Sequence, residues 1–172
     1  MKKYITLLSL LFISLFNVTP INAQEKNERT TSVYFIRHAE KDRSNPDERN
    51  PHLTDQGIQR AEKWAHFFKD IPLDAVYSTN YHRTIETAYP TAQQKGLEVI
   101  NYDPRILDPS PFVNKHKGRT ILIVGHSNTT PQFANDILGE EKYPEINDDN
   151  NGNLYIVTIQ NKNKSSILLK IN

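Results

Sequence analysis

Two histidines in this chain stand where an α/β protein would do chemistry. His38 closes Val33-Tyr34-Phe35-Ile36-Arg37-His38-Ala39-Glu40, and His126 closes Thr120-Ile121-Leu122-Ile123-Val124-Gly125-His126-Ser127. Each apolar run reads as a short strand buried on both faces. A polar group directly after such a strand sits beyond its carboxyl end, where open α/β sheets bind ligands. Arg37 sets a cation beside the first imidazole. Side by side, the two strands would project both histidines into one crevice.

The remaining segments read as what holds that crevice. Lys41 to Pro51 is charged and proline-punctuated, a surface loop beside it. Thr54 caps a helix that opens at Asp55, with Leu53 placed to staple onto Ile58 and with Ala61, Ala65 and Phe68 at helical spacing. Asp74–Ser78 is a second strand. A second helix follows it, capped by Asn80, with Ile85, Ala88, Tyr89 and Ala92 inward and Pro90 as a kink or early end. Leu97–Ile100 is a short edge strand, and residues 101–118 are a loop with one short helical turn. Thr130-Pro131 reads as a cap and first-position proline of a helix closed by Gly139. Asn153–Gln160 and Ser165–Ile171 form a terminal pair of strands. The expected fold is a single α/β domain with a mixed, mostly parallel sheet flanked by helices.

Composition narrows the class. Of 172 residues, 37% are hydrophobic and 24% charged, ordinary for one globular domain. Residues 1–23 stand apart: Lys2-Lys3, a mostly apolar run from Ile5 to Val18, then a small Ala23. This reads as a secretory signal, too short to span a bilayer, with a retained interfacial anchor as the alternative. The domain then covers residues 24–172, periplasmic or secreted, without stable membrane insertion after cleavage. Loss of Lys2 and Lys3 leaves 19 basic against 20 acidic residues. That balance argues against nucleic acid as a partner. The absence of cysteine excludes thiol nucleophiles, thiolate metal sites and disulfides. Asp148-Asp149-Asn150-Asn151-Gly152-Asn153 suggests a calcium loop, but the register puts Thr158 where a glutamate is needed, so it reads as a solvated turn. No other stretch has metal-ligand spacing, and no metal or cofactor is expected. His52, His66, His82 and His116 read as surface residues.

Taken together, Arg37-His38-Ala39-Glu40, the segment Ser78-Thr79-Asn80-Tyr81-His82-Arg83-Thr84-Ile85-Glu86-Thr87-Ala88, Gly125-His126-Ser127 and Leu53-Thr54-x-x-Gly57-x-x-x-Ala61 resemble the histidine phosphatase superfamily, also called phosphoglycerate-mutase-like. The likeness spans roughly residues 32–139, with four motifs in the family's order. It implies that His38 attacks phosphorus and carries a phosphohistidine, and that Arg37, Arg83 and His126 hold the phosphate. The physics agrees. A transferring phosphoryl group spreads negative charge over its oxygens and needs fixed cations and donors around it. Arg37 and Arg83 each offer a planar fork, and Arg83 lies in a first helical turn, where free N–H groups favour an anion. His38 is expected neutral and His126 cationic.

The general acid is expected at Asp108, from Asp103-Pro104-Arg105-Ile106-Leu107-Asp108, which matches the family's Asp-x-Arg-Leu-x-Glu pattern except for its shorter last carboxylate. Glu40 is the other carboxylate at hand, read as an orienting partner for an arginine. Ala39 replaces the family's glycine and should narrow the turn. Only 43 positions separate Arg83 from His126, which leaves little chain for a lid. An open site suits hydrolysis better than a mutase, which must exclude water. The function implied is a phosphomonoesterase acting on a small phosphoester or an envelope phosphosugar. Its alternatives are a non-catalytic phosphate-binding module and a phosphohistidine or phosphoprotein phosphatase.

Overall fold

A computed structural model describes residues 29–171, so the leader read over residues 1–23 lies outside the described residues. The strands are β1 (Thr31–Arg37), β2 (Ala75–Thr79), β3 (Val99–Tyr102), β4 (Thr120–Gly125), β5 (Asn153–Gln160) and β6 (Asn163–Lys170). The helices are α1 (Asp55–Phe68), α2 (His82–Lys95), α3 (Pro109–Lys115) and α4 (Thr129–Leu138). One sheet runs β3-β2-β4-β1-β5-β6. Strands β1 to β4 are mutually parallel, while β5 is antiparallel to β1 and β6 to β5. This is the mixed, mostly parallel α/β domain that the apolar runs predict.

The uninterrupted apolar character of β1 and β4 has a direct cause: both strands feed two cores. Val33, Phe35, Ile121 and Ile123 pack on one face with Phe112 of α3 and Phe133, Ala134 and Ile137 of α4. Ile36, Leu122 and Val124 pack on the other with Trp64 and Phe68 of α1 and Ala88 and Ala92 of α2. Period-2 alternation thus sends successive apolar side chains to opposite helix layers. The same pairing fixes the site, because Arg37 lies opposite Gly125 in the β1–β4 register. The His38 N–H extends that ladder onto Gly125 O at 2.9 Å, so the two histidines leave the sheet side by side.

Helix starts differ from the sequence reading in instructive ways. Thr54 does cap α1, accepting the Gly57 N–H at 3.1 Å. Ile58, however, is 52% exposed, and Leu53 packs with Ala39 and Ala61 instead. The bridge of Leu53 to Lys41 turns its side chain that way. Helix α2 begins without the expected Asn80 cap; Tyr81 occupies the cap position and makes no side-chain bond. Its inner face is Thr84, Thr87, Ala88, Thr91 and Ala92, while Tyr89 is exposed. Two of these hydroxyls are satisfied locally: Thr87 Oγ1 donates to Arg83 O at 2.6 Å and Thr84 Oγ1 to the carbonyl of Thr79 or Tyr81, while Thr91 Oγ1 is buried without a partner. Pro90 does not end the helix, which runs on to Gly96 in the left-handed region at φ 64°.

At α4 the cap is Asn128, whose Oδ1 accepts the Thr129 N–H at 2.9 Å, and Thr130 lies one residue inside the helix. The edge strand β3 falls two residues later than its sequence reading. His116 is not a surface residue: it is 2% exposed, with Nε2 3.0 Å from the Tyr77 hydroxyl.

Candidate active site

A cavity of about 820 Å³ opens at the carboxyl ends of β1, β2 and β4. Arg37, His38, Arg83 and His126 line it, together with Lys41, Thr79, Tyr81, Asp103, Arg105 and Asp148. Its placement follows from parallel strands that all end at one edge of the sheet.

His38 is 3% exposed. Its Nδ1 lies 2.7 Å from Ala39 O, and a carbonyl can only accept, so Nδ1 carries the proton and Nε2 is the bare nitrogen. Burial pulls its pKa down to about 3, and Arg37, His126 and Arg83 add to the shift. Two further bonds hold the turn. Thr87 Oγ1 accepts the Ala39 N–H at 2.9 Å, and Asn151 Nδ2 donates to His38 O at 2.8 Å. Ala39 is fully buried, so its methyl fills space against Leu53 and Ala61.

His126 faces His38 with ring centroids 5.5 Å apart. Its Nε2 lies 2.9 Å from Thr79 Oγ1, which is 3.0 Å from Thr84 Oγ1. Thr84 has one hydroxyl proton, which goes to the carbonyl of Thr79 (2.8 Å) or Tyr81 (2.9 Å). Thr79 must then donate to Thr84 and accept from His126, which places the neutral His126 proton on Nε2. Burial, then Arg83, Arg37 and Lys41, lower the His126 pKa to about 4. The cationic His126 expected from sequence is therefore neutral in the phosphate-free pocket: desolvation and cations prevail until an anion is bound.

The two arginines are held differently. Arg37 is 2% exposed and largely engaged: Nη1 donates to Asn147 O (2.8 Å) and Asn150 O (3.2 Å), and Nη2 to Asp148 Oδ1 (2.5 Å). Its Nε is buried without a partner. Arg83 lies over the Tyr81 ring, its guanidinium carbon 4.4 Å from the centroid, with Nε and Nη1 both buried and unpartnered. Buried donors without acceptors are costly, and both arginines that carry them line the cavity beside His38.

The candidate acids lie elsewhere. Asp108 caps α3, its Oδ1 accepting the Ser110 N–H at 3.0 Å, and it does not line the cavity. Glu40 pairs with Arg60, whose Nε lies 2.8 and 3.0 Å from its two oxygens. The carboxylates that do line the cavity are Asp103 and Asp148. Hydrogen bonds from Arg105 hold Asp103 down at about 2, and Arg37 and Arg43 hold Asp148 below the usual range.

The segment read as a solvated turn is part of this site. Asn147, Asp148, Asn150 and Asn151 hold Arg37 and the His38 carbonyl. Because β5 runs antiparallel to β1, the chain entering β5 must lie beside the carboxyl end of β1. An antiparallel assignment for the last strands would have placed it there.

These features agree with what the chain is similar to. Residues 33–107 match the histidine phosphatase superfamily, branch 1. That match takes in Arg37, His38 and Arg83. No curated protein matches the sequence. Solved structures share its fold at low identity. A Bacillus anthracis phosphoglycerate mutase aligns with TM-score 0.63 and 14% identity over 85% of this chain and 95% of its own. The protein histidine phosphatase SixA in complex with tungstate gives 0.62 and 13%, over 81% and 96%. An Entamoeba histolytica phosphoserine phosphatase variant in complex with phosphoserine gives 0.59 and 17%, over 83% and 96%. At such identities the likeness speaks for the fold. The chemistry has to be argued from the pocket itself.

Proposed function

We propose that the protein is a phosphomonoesterase that works through a phosphohistidine on His38, with a small phosphoester or an envelope phosphosugar as substrate. One observation carries this reading: His38, with its Nε2 bare, lines one cavity with Arg37 and Arg83, and Arg83 has two guanidinium nitrogens without a partner. In this reading the phosphoryl oxygens are taken by those two guanidinium groups. Nε2 attacks phosphorus, the phosphorus–oxygen bond to the leaving group breaks, and water then cleaves the phosphorus–nitrogen bond to restore the imidazole. The incoming dianion raises the proton affinity of His126, which becomes a charged donor to the same oxygens. A cavity of about 820 Å³ has room for a sugar-sized leaving group. Residues 1–23 act as an export signal in this proposal, so the mature chain starts at Gln24; intact mass of exported protein with those residues retained would refute that part.

A second reading, a phosphohistidine or phosphoprotein phosphatase, draws on the acids. Neither cavity carboxylate is held in a protonated state, since arginines keep Asp103 and Asp148 ionised. Leaving groups that depart without a strong proton donor, such as a phosphoramidate nitrogen, suit such a site. Turnover of phosphosugars, p-nitrophenyl phosphate, a phosphoramidate and a phosphohistidine peptide separates the two readings. Wild-type protein denatured in alkaline detergent during turnover should carry an alkali-stable, acid-labile phosphate that His38→Ala lacks. Binding of phosphate with no turnover of any of these would leave a phosphate-binding module instead.

A further inference from the structure

Outside the cavity, the fold gathers three ligand-bearing side chains that the sequence keeps 34 positions apart: His52, His82 and Glu86. One ligand atom from each lies within 4.8 Å of the others. His82 and Glu86 share a face of α2 at four-residue spacing. His52 comes from the loop between β1 and α1 and stacks on His82, with centroids 4.2 Å apart and planes 14° from parallel. Glu86 is already oriented: Oε2 accepts the Leu53 N–H at 2.9 Å, and Oε1 pairs with His52 Nδ1. The loop meets the start of α2 once more, where Asn50 Oδ1 accepts the His82 N–H at 2.9 Å.

We propose that His52, His82 and Glu86 bind one divalent transition-metal ion of the Zn²⁺ class. Two imidazoles and a carboxylate are the donor set that borderline cations prefer, whereas Ca²⁺ and Mg²⁺ want all-oxygen shells. Bonds of about 2.0–2.1 Å in a tetrahedral shell bring the ligand atoms to roughly 3.3 Å from one another. Closing from 4.8 Å is a matter of turning the exposed His52 and His82 side chains about the oriented Glu86 carboxylate. Three protein ligands leave a fourth position for water. None of the three lines the phosphate cavity, so the ion is not part of the phosphoryl chemistry. Its effect is to clamp the β1–α1 loop onto the first turn of α2, one residue from Arg83. This is a separate site from the phosphate pocket and does not depend on the phosphatase reading.

The test is calorimetric titration of untagged, chelator-treated protein with ZnCl₂ in a phosphate-free buffer, with Co²⁺ absorption as a second readout. One ion per chain is expected, with visible Co²⁺ bands typical of four-coordination and a higher unfolding midpoint when Zn²⁺ is present. Glu86→Gln retains an acceptor for the Leu53 N–H, and His82→Ala alters an exposed side chain, so both should fold. Each should weaken Zn²⁺ by more than the roughly 10–100-fold that loss of an outer-shell partner costs. His126→Ala should leave the affinity unchanged. No binding to wild type, binding untouched by His82→Ala and Glu86→Gln, or binding lost in His126→Ala would each overturn the assignment.

Discussion

At the scale of single residues, the two arginines should not behave alike, although the sequence presents them as a pair. Arg37 spends its terminal nitrogens on the loop before β5, whereas Arg83 lines the cavity with Nε and Nη1 unpartnered. Arg83→Ala should therefore lower turnover by about 10²–10³-fold, as loss of one fixed transition-state donor does elsewhere, with folding stability little changed. Arg37→Ala should also destabilise the fold, because it leaves Asp148 and two backbone carbonyls without their buried donor. Kinetics and thermal melts on the pair check this; equal stability loss in both would refute the distinction. Asp108 is the complementary case. Asparagine caps helices as well as aspartate does, so Asp108→Asn should keep α3 and leave turnover of alkyl and aryl phosphates within about twofold. A selective fall on the alkyl substrate would restore Asp108 as the acid.

Among the elements, the turn that carries His38 is held from three sides, and one contact is close enough to test alone. A Cβ placed on Gly57 would lie 2.2 Å from Glu40 O, a backbone atom of that turn. The Glu40 carbonyl also accepts the Thr54 N–H at 2.9 Å, which joins the α1 cap to the catalytic turn. Gly57→Ala should therefore cost stability despite its better helix propensity, on the order of the 1–3 kcal/mol typical of overpacking, and should lower turnover as His38 shifts. A wild-type melt and rate would disprove the close approach. This coupling also shows what sequence could yield. Thr54 and Gly57 were legible as a cap and a motif, and β1, β4 and β5 as apolar runs, because each signal is contained in a few adjacent residues. On α2, Ala88 and Ala92 are legible as inner-face residues, whereas Tyr89 is exposed and the buried Thr84, Thr87 and Thr91 look polar in sequence. Arg37, His38 and His126 stand out because each follows an apolar strand, and Arg83 through its place in a motif that resembles the family's. Asp148, Asn151 and the His52–His82–Glu86 cluster do not, because strand order and loop path alone bring them to their partners.

The whole molecule should register its active site in its acid stability. His38 and His126 are buried as neutral bases with pKa values lowered to about 3 and about 4, and burial also lowers His116. The unfolded chain holds these groups near pKa 6.5, so between that value and the folded values it binds more protons than the native state. Stability then rises with pH through this window. Their contribution is complete above about pH 6.5 and is lost progressively as pH falls towards 4 and below. Carboxylates such as Asp103 and Asp148, with folded values below the ordinary range, add acid sensitivity of the same sign at lower pH. Phosphate should reverse part of the histidine term, because a bound anion favours charged His126 and so removes its penalty. Unfolding midpoints measured from pH 4.5 to 7.5 should drop toward acid, less steeply in His38→Ala and less steeply again with saturating phosphate. A phosphate-independent slope that His38→Ala leaves unchanged would mean that neither imidazole is buried neutral, and with it the assignment of His38 Nε2 as the bare nucleophilic nitrogen would fall.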